Sequence, residues 1–349
     1  MMNRENLMKA IATYQYQPTT APDCFVEVDL DMPQPGARDL LVRVKAVSVN
    51  PVDYKVRTSL KEKQAEPRIL GWDAAGTVEA VGANVTLFKP GDEIYYAGSI
   101  LRPGSDSEYQ LVDERIVGKK PTTLSFEEAA ALPLTTLTAW EALFERLGIE
   151  PQKTLKNQAS TVLIIGGAGG VGSIAIQLAK QIAGLQVIAT ASRPETIAWC
   201  KKLGSDRTIN HRHSFKPELE QLGIQDIDYI LCFNDTEQHL QNMADVIKPQ
   251  GKICSIVETK NPLNMNLFQW KSVTFAWEFM YTKPVYTTND MQSQHDILNR
   301  VAEFVDQGVL RTTLTENLGT LNSANLAKAH ALVESGTAIG KTVLSGIGC

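Results

Sequence analysis

Ser160–Lys180 reads STVLIIGGAGGVGSIAIQLAK. An apolar run, Thr161–Ile165, breaks into glycines, and the glycines open a stretch with helical apolar periodicity. Within it, Gly167-x-Gly169-x-x-Gly172 fits the dinucleotide fingerprint, with a strand before it and a helix after it. The first glycine permits a tight turn. The second lets the backbone approach a pyrophosphate, and the third lets helix and strand lie close together. The helix start then turns free N–H groups and a positive dipole end toward phosphates. Gly167, Ala168, Gly169, Gly170, Val171 and Gly172 are therefore the expected cradle. A second apolar run, Gln186–Ala191, follows at βαβ distance. The alternative reading is a glycine-rich turn in an ordinary α/β unit.

The position that selects the cofactor lies after that second run, where sites for NAD place a carboxylate on the ribose 2′-hydroxyl. Here the chain reads Thr190-Ala191-Ser192-Arg193, with no carboxylate before Glu195. A hydroxyl followed by a guanidinium suits a 2′-phosphate, which Arg holds bidentately and a carboxylate would repel. Ser192 and Arg193 thus point to NADPH over NADH. Ser192 and Pro194 also read as caps of a helix Glu195–Leu203, and the two roles are compatible.

A chain of 349 residues suits two domains. Apolar residues make up 43% and charged residues 21%, as in ordinary globular enzymes. The net charge of −5 argues against general nucleic-acid binding. No run of 18 apolar residues predicts a membrane span. The start lacks the apolar stretch of a secretory signal. Met8 is expected to head the folded part, with the first seven residues as a mobile tail. The five cysteines (Cys24, Cys200, Cys232, Cys254, Cys349) are scattered and form no CxxC. That pattern fits reduced thiols and a cytoplasmic protein.

Residues 8–123 read as β-rich. Leu40–Val49 and Gly76–Val81 alternate at period two, Lys89-Pro90-Gly91-Asp92 is a turn, and Glu93–Ala97 and Glu108–Val112 read as strands. Closely spaced short strands predict a small barrel or sandwich. From Leu124 to about Leu310 the pattern becomes α/β. Strands are expected at Thr161–Ile165, Gln186–Thr190, Arg207–Ile209, Asp228–Cys232, Lys252–Val257 and Ser272–Ala276, which describes a doubly wound parallel sheet. Gln292–Gln307 reads as an amphipathic helix. The tail holds a helix near Ser323–Ser335 and a strand Lys341–Leu344.

Several phrases together carry a family resemblance: Asn50-Pro51-Val52-Asp53, Gly71-Trp72-Asp73-Ala74-Ala75-Gly76, Lys89-Pro90-Gly91-Asp92-Glu93, Ala129-Ala130-Ala131-Leu132-Pro133 and the glycine loop. With them the chain resembles the medium-chain dehydrogenases/reductases over nearly its whole length. Lys271–Pro284 and Ile339–Leu344 resemble the zinc-type alcohol dehydrogenase-like branch, beside the quinone oxidoreductases. The resemblance implies a GroES-like β-barrel domain, residues 1–124 with 311–349, that carries the substrate residues. It implies a Rossmann NADPH-binding domain over 125–310, with the active site in the cleft between the two.

Zinc members of the family hold a catalytic metal with a Cys, a His and a second Cys, plus the Glu of a Gly-His-Glu phrase. The matching positions here are Asn50, Trp72, Leu134 and Asp73, and none of the first three is a usable zinc ligand. The four-cysteine lobe of zinc members has no counterpart in Tyr95–Asp113. No metal is therefore expected. His211-Arg212-His213, the one close histidine pair, is expected to face adenosine or solvent.

Without a Lewis acid, simple alcohol oxidation loses its route to an alkoxide at neutral pH. Reduction of an electron-poor π-system needs less help: charge builds on an oxygen that hydrogen bonds can stabilise, and a proton then arrives from a side chain or water. Tyr54 is the expected donor or oxygen binder, the alternative being a barrel-rim aromatic. By resemblance, Asn50 contacts substrate, water or the nicotinamide side, and Thr138 bonds near the nicotinamide; a turn residue and a helix-internal threonine are the alternatives. Strand ends supply further cofactor candidates: Phe233, Asn234, Val257 and Phe275. Lys341 is expected to face the cofactor cleft. Trp277, Phe279, Met280 and Tyr281 form an aromatic cluster that reads as core, pocket wall or subunit interface.

The expectation is a zinc-independent, NADPH-dependent reductase of quinones or α,β-unsaturated carbonyls. Its partners are a small-molecule substrate and a second copy in a homodimer, with neither nucleic acid nor membrane. The rivals are a non-catalytic NADPH-binding redox sensor or structural protein, and a lipid enoyl-thioester reductase. The last would want a basic mouth for a carrier phosphate, and no clear Lys/Arg cluster supplies one.

Overall fold

The computed structural model of the protein describes residues 7–348. In chain order the strands are β1 (Leu7–Thr13), β2 (Val26–Asp31), β3 (Asp39–Ser48), β4 (Arg68–Ile69), β5 (Asp73–Val81), β6 (Glu93–Tyr96), β7 (Tyr109–Asp113) and β8 (Val117–Lys119). Then follow β9 (Thr161–Ile165), β10 (Gln186–Thr190), β11 (Arg207–Ile209), β12 (Ile227–Cys232), β13 (Ile247–Ser255) and β14 (Thr274–Trp277), and last β15 (Leu314–Thr320) and β16 (Lys341–Ser345). Because β1 starts at Leu7, one residue of the expected tail is folded. The other six, and Cys349, lie outside the described residues.

Two compact units divide the chain, one drawn from Met1–Leu134 with Tyr281–Cys349 and the other from Thr135–Met280. The first is built on β3, which pairs with β5 along its length, with β7 at its start and with β16 at its end. The seven-stranded sheet runs β15-β16-β3-β5-β6-β8, with β7 on β3, and a small sheet β2-β1-β4 completes the unit. The period-two pattern of Leu40–Val49 buries Leu40, Val42, Val44 and Ala46, and Leu41 and Val47 on the other face are covered as well.

The second unit is one parallel sheet of order β11-β10-β9-β12-β13-β14. Val162–Ile165 of β9 are fully buried, as befits a central parallel strand covered on both faces. From β9 the chain builds outward through β10 and β11, then returns to the other side of β9 with β12. That reversal is a topological switch point, beside which open α/β sheets bind ligands at the strands' carboxyl ends.

Three expectations change. The helix Ser293–Asp306 belongs to the first unit, as does the chain up to Leu134, so the dinucleotide unit runs Thr135–Met280 and not 125–310. The helix is tied to β6 and β8: Tyr95 Oη donates to the Leu298 carbonyl at 2.6 Å, and a Cβ on Gly118 would lie 2.4 Å from Leu298 Cβ. The marker phrase Asn50–Asp53 opens a helix, Pro51–Ser59, with Asn50 as N-cap and Pro51 in its first turn. The last two strands of the parallel sheet shift, β13 starting earlier at Ile247 and β14 ending at Trp277.

Candidate functional site

The glycine loop of the second unit is shaped by different residues from those the motif assigns. Gly166, one residue before the motif, takes φ +84 and makes the left-handed turn off β9. Gly167 serves packing: a Cβ there would lie 2.7 Å from Ala189 Cβ and 3.1 Å from Cys200 Sγ. At Gly172 a Cβ would meet the Gly166 carbonyl oxygen at 2.2 Å, so this glycine lets the helix Gly170–Gln177 press on the turn. Gly169 is different, since a Cβ there would find one protein atom in ordinary contact, the Gly166 oxygen at 3.5 Å. The fold does not demand glycine at that position, and the open space beside its backbone is what a motif glycine leaves for a pyrophosphate. Gly169 is the helix N-cap, and Gly169, Gly170 and Val171 are partly exposed while Ala168 is buried. Thr190 of β10 ties the loop down, its Oγ1 accepting from Gly166 N at 3.0 Å and its carbonyl from Gly167 N at 3.3 Å.

Ser192 and Arg193 follow β10, both half-buried. Arg193, and not Ser192, caps the helix Pro194–Leu203. Its backbone N–H donates to Thr196 Oγ1 at 3.1 Å, and its guanidinium Nε lies 3.2 Å from Glu195 Oε1. Phe233 and Asn234 stand directly after β12, with Asn234 exposed. The half-buried Val257 lies past β13, its carbonyl accepting from Thr236 Oγ1 at 2.6 Å. Phe275 instead sits against the apolar core, with its ring 6.2 Å from Phe268, and Thr138 is buried on the helix Pro133–Trp140. His213 Nδ1 lies 2.7 Å from Glu218 Oε1 in an exposed position, while the His211 ring meets the buried His239 edge-on.

In the first unit the marker phrases converge on a buried polar network. Asp73, at the start of β5, accepts on Oδ1 from Leu134 N at 2.9 Å and on Oδ2 from Asn50 Nδ2 at 3.0 Å. Lys341, the first residue of β16, places its ammonium 3.2 Å from the same Asp73 Oδ2. It also donates to the Val49 carbonyl at 3.0 Å and to Asn50 Oδ1 at 2.5 Å. Asn50 Nδ2 donates to the Ser48 carbonyl too, and its backbone N–H to Asp53 Oδ2 at 2.7 Å. Asn50, expected to touch substrate, thus has both amide protons and its oxygen engaged inside the unit, and it is 1% exposed. Lys341, expected to face a cofactor, is buried with its ammonium turned inward. Tyr54, four residues after Asn50 on the helix Pro51–Ser59, stays half-buried.

Burial pushes the Asp53 carboxyl up to about 7, while the Asn50 N–H and Lys341 pull it back. Burial drives Asp106 well above the usual carboxylate range, and the charge of Asp53 adds to the effect. Both oxygens of Asp106 and Oδ1 of Asp53 lack hydrogen-bond partners among the described residues. Tyr281, grouped by sequence with an aromatic cluster, is a member of this network that residue patterns did not single out. Burial raises its phenol well above the ordinary value, and Asp53 and Asp73 add to the rise. Trp72 is fully buried, with its ring 6.4 Å from that of Tyr281.

Comparison with known proteins agrees with both halves. The model of the alcohol dehydrogenase GroES-like domain matches residues 36–122, and that of the zinc-binding dehydrogenases matches residues 203–344. A zinc-type alcohol dehydrogenase-like protein of Staphylococcus epidermidis is 42% identical over 97% of this chain and 99% of its own. A crystal structure from Rhizobium etli, described provisionally as a zinc-dependent alcohol dehydrogenase, superposes with TM-score 0.93 at 49% identity over 99% of both chains. A more distant relative is the chloroplastic NADPH-dependent alkenal/one oxidoreductase of Arabidopsis thaliana, 29% identical over 91% of this chain and 75% of its own. The chain belongs to the medium-chain dehydrogenase/reductase superfamily. It is an oxidoreductase of that family, which works with a nicotinamide dinucleotide.

The two groups that the family implies fit unequally. The dinucleotide fits: Gly169 leaves room for a close approach, and the helix starting at Gly170 aims its first N–H groups at that room. Zinc does not fit. Its positions hold an amide engaged on all sides, an indole and an aliphatic side chain, without thiolate or imidazole. Among the described residues no three His, Cys, Asp or Glu side chains gather as a metal site.

Proposed function

We propose that the protein is a zinc-independent, NADPH-dependent reductase of quinones or α,β-unsaturated carbonyls. One observation carries the reading: the dinucleotide cradle is intact while the Cys, His and Cys positions of the zinc site hold Asn50, Trp72 and Leu134, none of them a usable zinc ligand. The Arabidopsis relative, named for NADPH and for alkenals and enones, supports it. Gly167–Gly172 hold the pyrophosphate by backbone N–H groups, and Ser192 and Arg193 receive the 2′-phosphate. Bound NADPH supplies a hydride from nicotinamide C4, which an electron-poor alkene or quinone accepts without a metal. Tyr54 Oη donates a hydrogen bond or a proton to the substrate oxygen, where charge builds during reduction. Asn50 shapes the start of the helix that carries Tyr54.

We also propose a homodimer formed through β14. This strand is an edge of the parallel sheet, and Trp277 at its end and Phe279 just beyond are each about half exposed. Metal-free protein, prepared in chelator, is assayed for NADPH oxidation across quinones, enals and enones. Turnover of at least one class, unchanged when zinc is added, is expected. Tight NADPH binding without oxidation by any class would turn the reading to a non-catalytic sensor.

A further inference from the structure

Two of the residues at the zinc positions, Asn50 and Asp73, contact Lys341, and a third, Leu134, donates its N–H to Asp73. The Lys341 ammonium has three protons and finds three acceptors, the Val49 carbonyl, Asn50 Oδ1 and Asp73 Oδ2. Asp73 receives in turn from Leu134 N, Asn50 Nδ2 and Lys341. Asp73 stands at the place of the family's carboxylate, and Leu134 at that of its second cysteine. The chain brings Lys341 there by pairing β16 with the end of β3, Val343 opposite Ser48. We propose that the Lys341 ammonium is the resident cation of this site: it takes the place of a metal ion, holds Asp73 and Asn50 in position, and keeps divalent metal out.

Burial works against both charges, pushing the Asp73 carboxyl up and the Lys341 ammonium down. Hydrogen bonding opposes it on each side, because every contact of Asp73 is a donor and every contact of Lys341 an acceptor. The ion pair is the form that satisfies all five contacts. Asp53, Asp106 and Tyr281 complete the ionisable surroundings. Burial drives the Asp106 carboxyl well above the usual carboxylate range and raises the Asp53 carboxyl and the Tyr281 phenol as well, so all three resist carrying negative charge beside the ion pair. Lys341 acts through Asn50, the N-cap of the helix Pro51–Ser59, and is therefore a positioning residue.

The test needs no substrate, so its failure is distinguishable from failure of the activity proposed above. In protein labelled with 15N-lysine, a protected ammonium cross-peak is expected at pH 7 and 25 °C, missing in Lys341→Met and kept in Lys283→Met, a control at another buried lysine. Absence of any such peak that depends on Lys341 overturns the proposal. Wild-type protein equilibrated with Co(II) and desalted should retain less than about a tenth of an equivalent. One equivalent with tetrahedral d–d bands, lost in Asp73→Asn, also overturns it. Finally, Lys341→Met strands a buried carboxylate and should lower Tm by about 5–10 °C. Lys341→Met/Asp73→Asn should fall no further than the worse single variant, whereas additive losses mean the two do not act as a pair. If the variants fail to fold, the Co(II) measurement on wild type still decides.

Discussion

Arg193 is the helix cap and, in the function proposed, the cation that receives the 2′-phosphate. Its ion pair with Glu195 at 3.2 Å is exposed, so a phosphate can draw the guanidinium away at little cost. Arg193→Ala should weaken NADPH binding by about ten- to a hundredfold, the loss of roughly 1.5–3 kcal/mol for a charge-assisted pair. NADH binding should stay nearly unchanged, and fluorescence titration of both cofactors reads the difference. Equal losses would make Arg193 a cap alone. Tyr54→Phe removes only a hydroxyl. A general acid contributes about 10²–10⁴-fold, so kcat for an enone should fall at least tenfold with NADPH affinity intact. A wild-type rate would leave water or a ribose hydroxyl as the proton source. The glycines divide just as sharply. Gly172→Ala forces a Cβ to 2.2 Å from a backbone oxygen and should destabilise the unit, whereas Gly169→Ala should keep the wild-type Tm and lose dinucleotide affinity. Thermal melts with and without NADPH separate the two.

Among elements, the helices Pro51–Ser59 and Ser323–Glu334 show how a buried charge is accommodated. Arg57 is fully buried, with Nη1 donating to the Gln17 carbonyl at 2.6 Å and Nη2 to Glu334 Oε2 at 2.8 Å. His330, one turn before Glu334, lies against Phe25 with ring centroids 4.8 Å apart. Neither of its ring nitrogens has a hydrogen-bond partner among the described residues. Burial, helped by the Arg57 charge, pushes its pKa down to about 3, against an unfolded value of about 6.5. Between those values the unfolded chain binds a proton that the folded chain refuses. Stability from this site is therefore full above pH 6.5 and is lost as pH falls, by about 2 kcal/mol at pH 5. His330→Phe should flatten the decline of Tm between pH 6.5 and 4.5. An unchanged slope would show that other groups set the acid limit. The helix Pro51–Ser59 was itself open to sequence reading, since Pro51 at its start and Asp53 two residues on are ordinary start signals. Only nine residues long, with Asp53 and Arg57 facing inward, it lacks the apolar stripe that usually announces a helix.

For the whole molecule, the edge of the parallel sheet is the feature left to explain. An edge strand flanked by exposed aromatics is a template for association. In the same unit Trp270, in the short helical segment before β14, is 96% exposed. If β14 is the dimer edge, Trp277→Asp should halve the mass measured by light scattering at micromolar concentration and leave NADPH affinity unchanged. A wild-type protein that is monomeric at that concentration would exclude the dimer.

The sequence determined whatever rests on local backbone demands. Three glycines after an apolar run can be satisfied by few structures other than a strand, a tight turn and a helix start. The parallel strands β9, β10 and β11 accordingly lie within the bounds that their apolar runs predict. It determined also that Asn50, Trp72 and Leu134 stand where zinc members place two cysteines and a histidine, because ligand chemistry belongs to residue type. The tertiary structure decided what depends on partners distant in the chain. Gly166 and not Gly167 makes the turn, because Gly167 must clear Ala189 and Cys200. The helix Ser293–Asp306 joined the first unit, because its apolar face is the same wherever it packs and residues of that unit, Tyr95, Val117, Lys119, Thr122 and Thr123 among them, supplied hydrogen bonds. Asn50 and Lys341, 291 residues apart, ended in one hydrogen bond inside a polar core. Either side chain alone reads as a site residue open to ligand. Their mutual burial with Asp73 follows from β16 pairing with β3, a long-range register that no local pattern encodes.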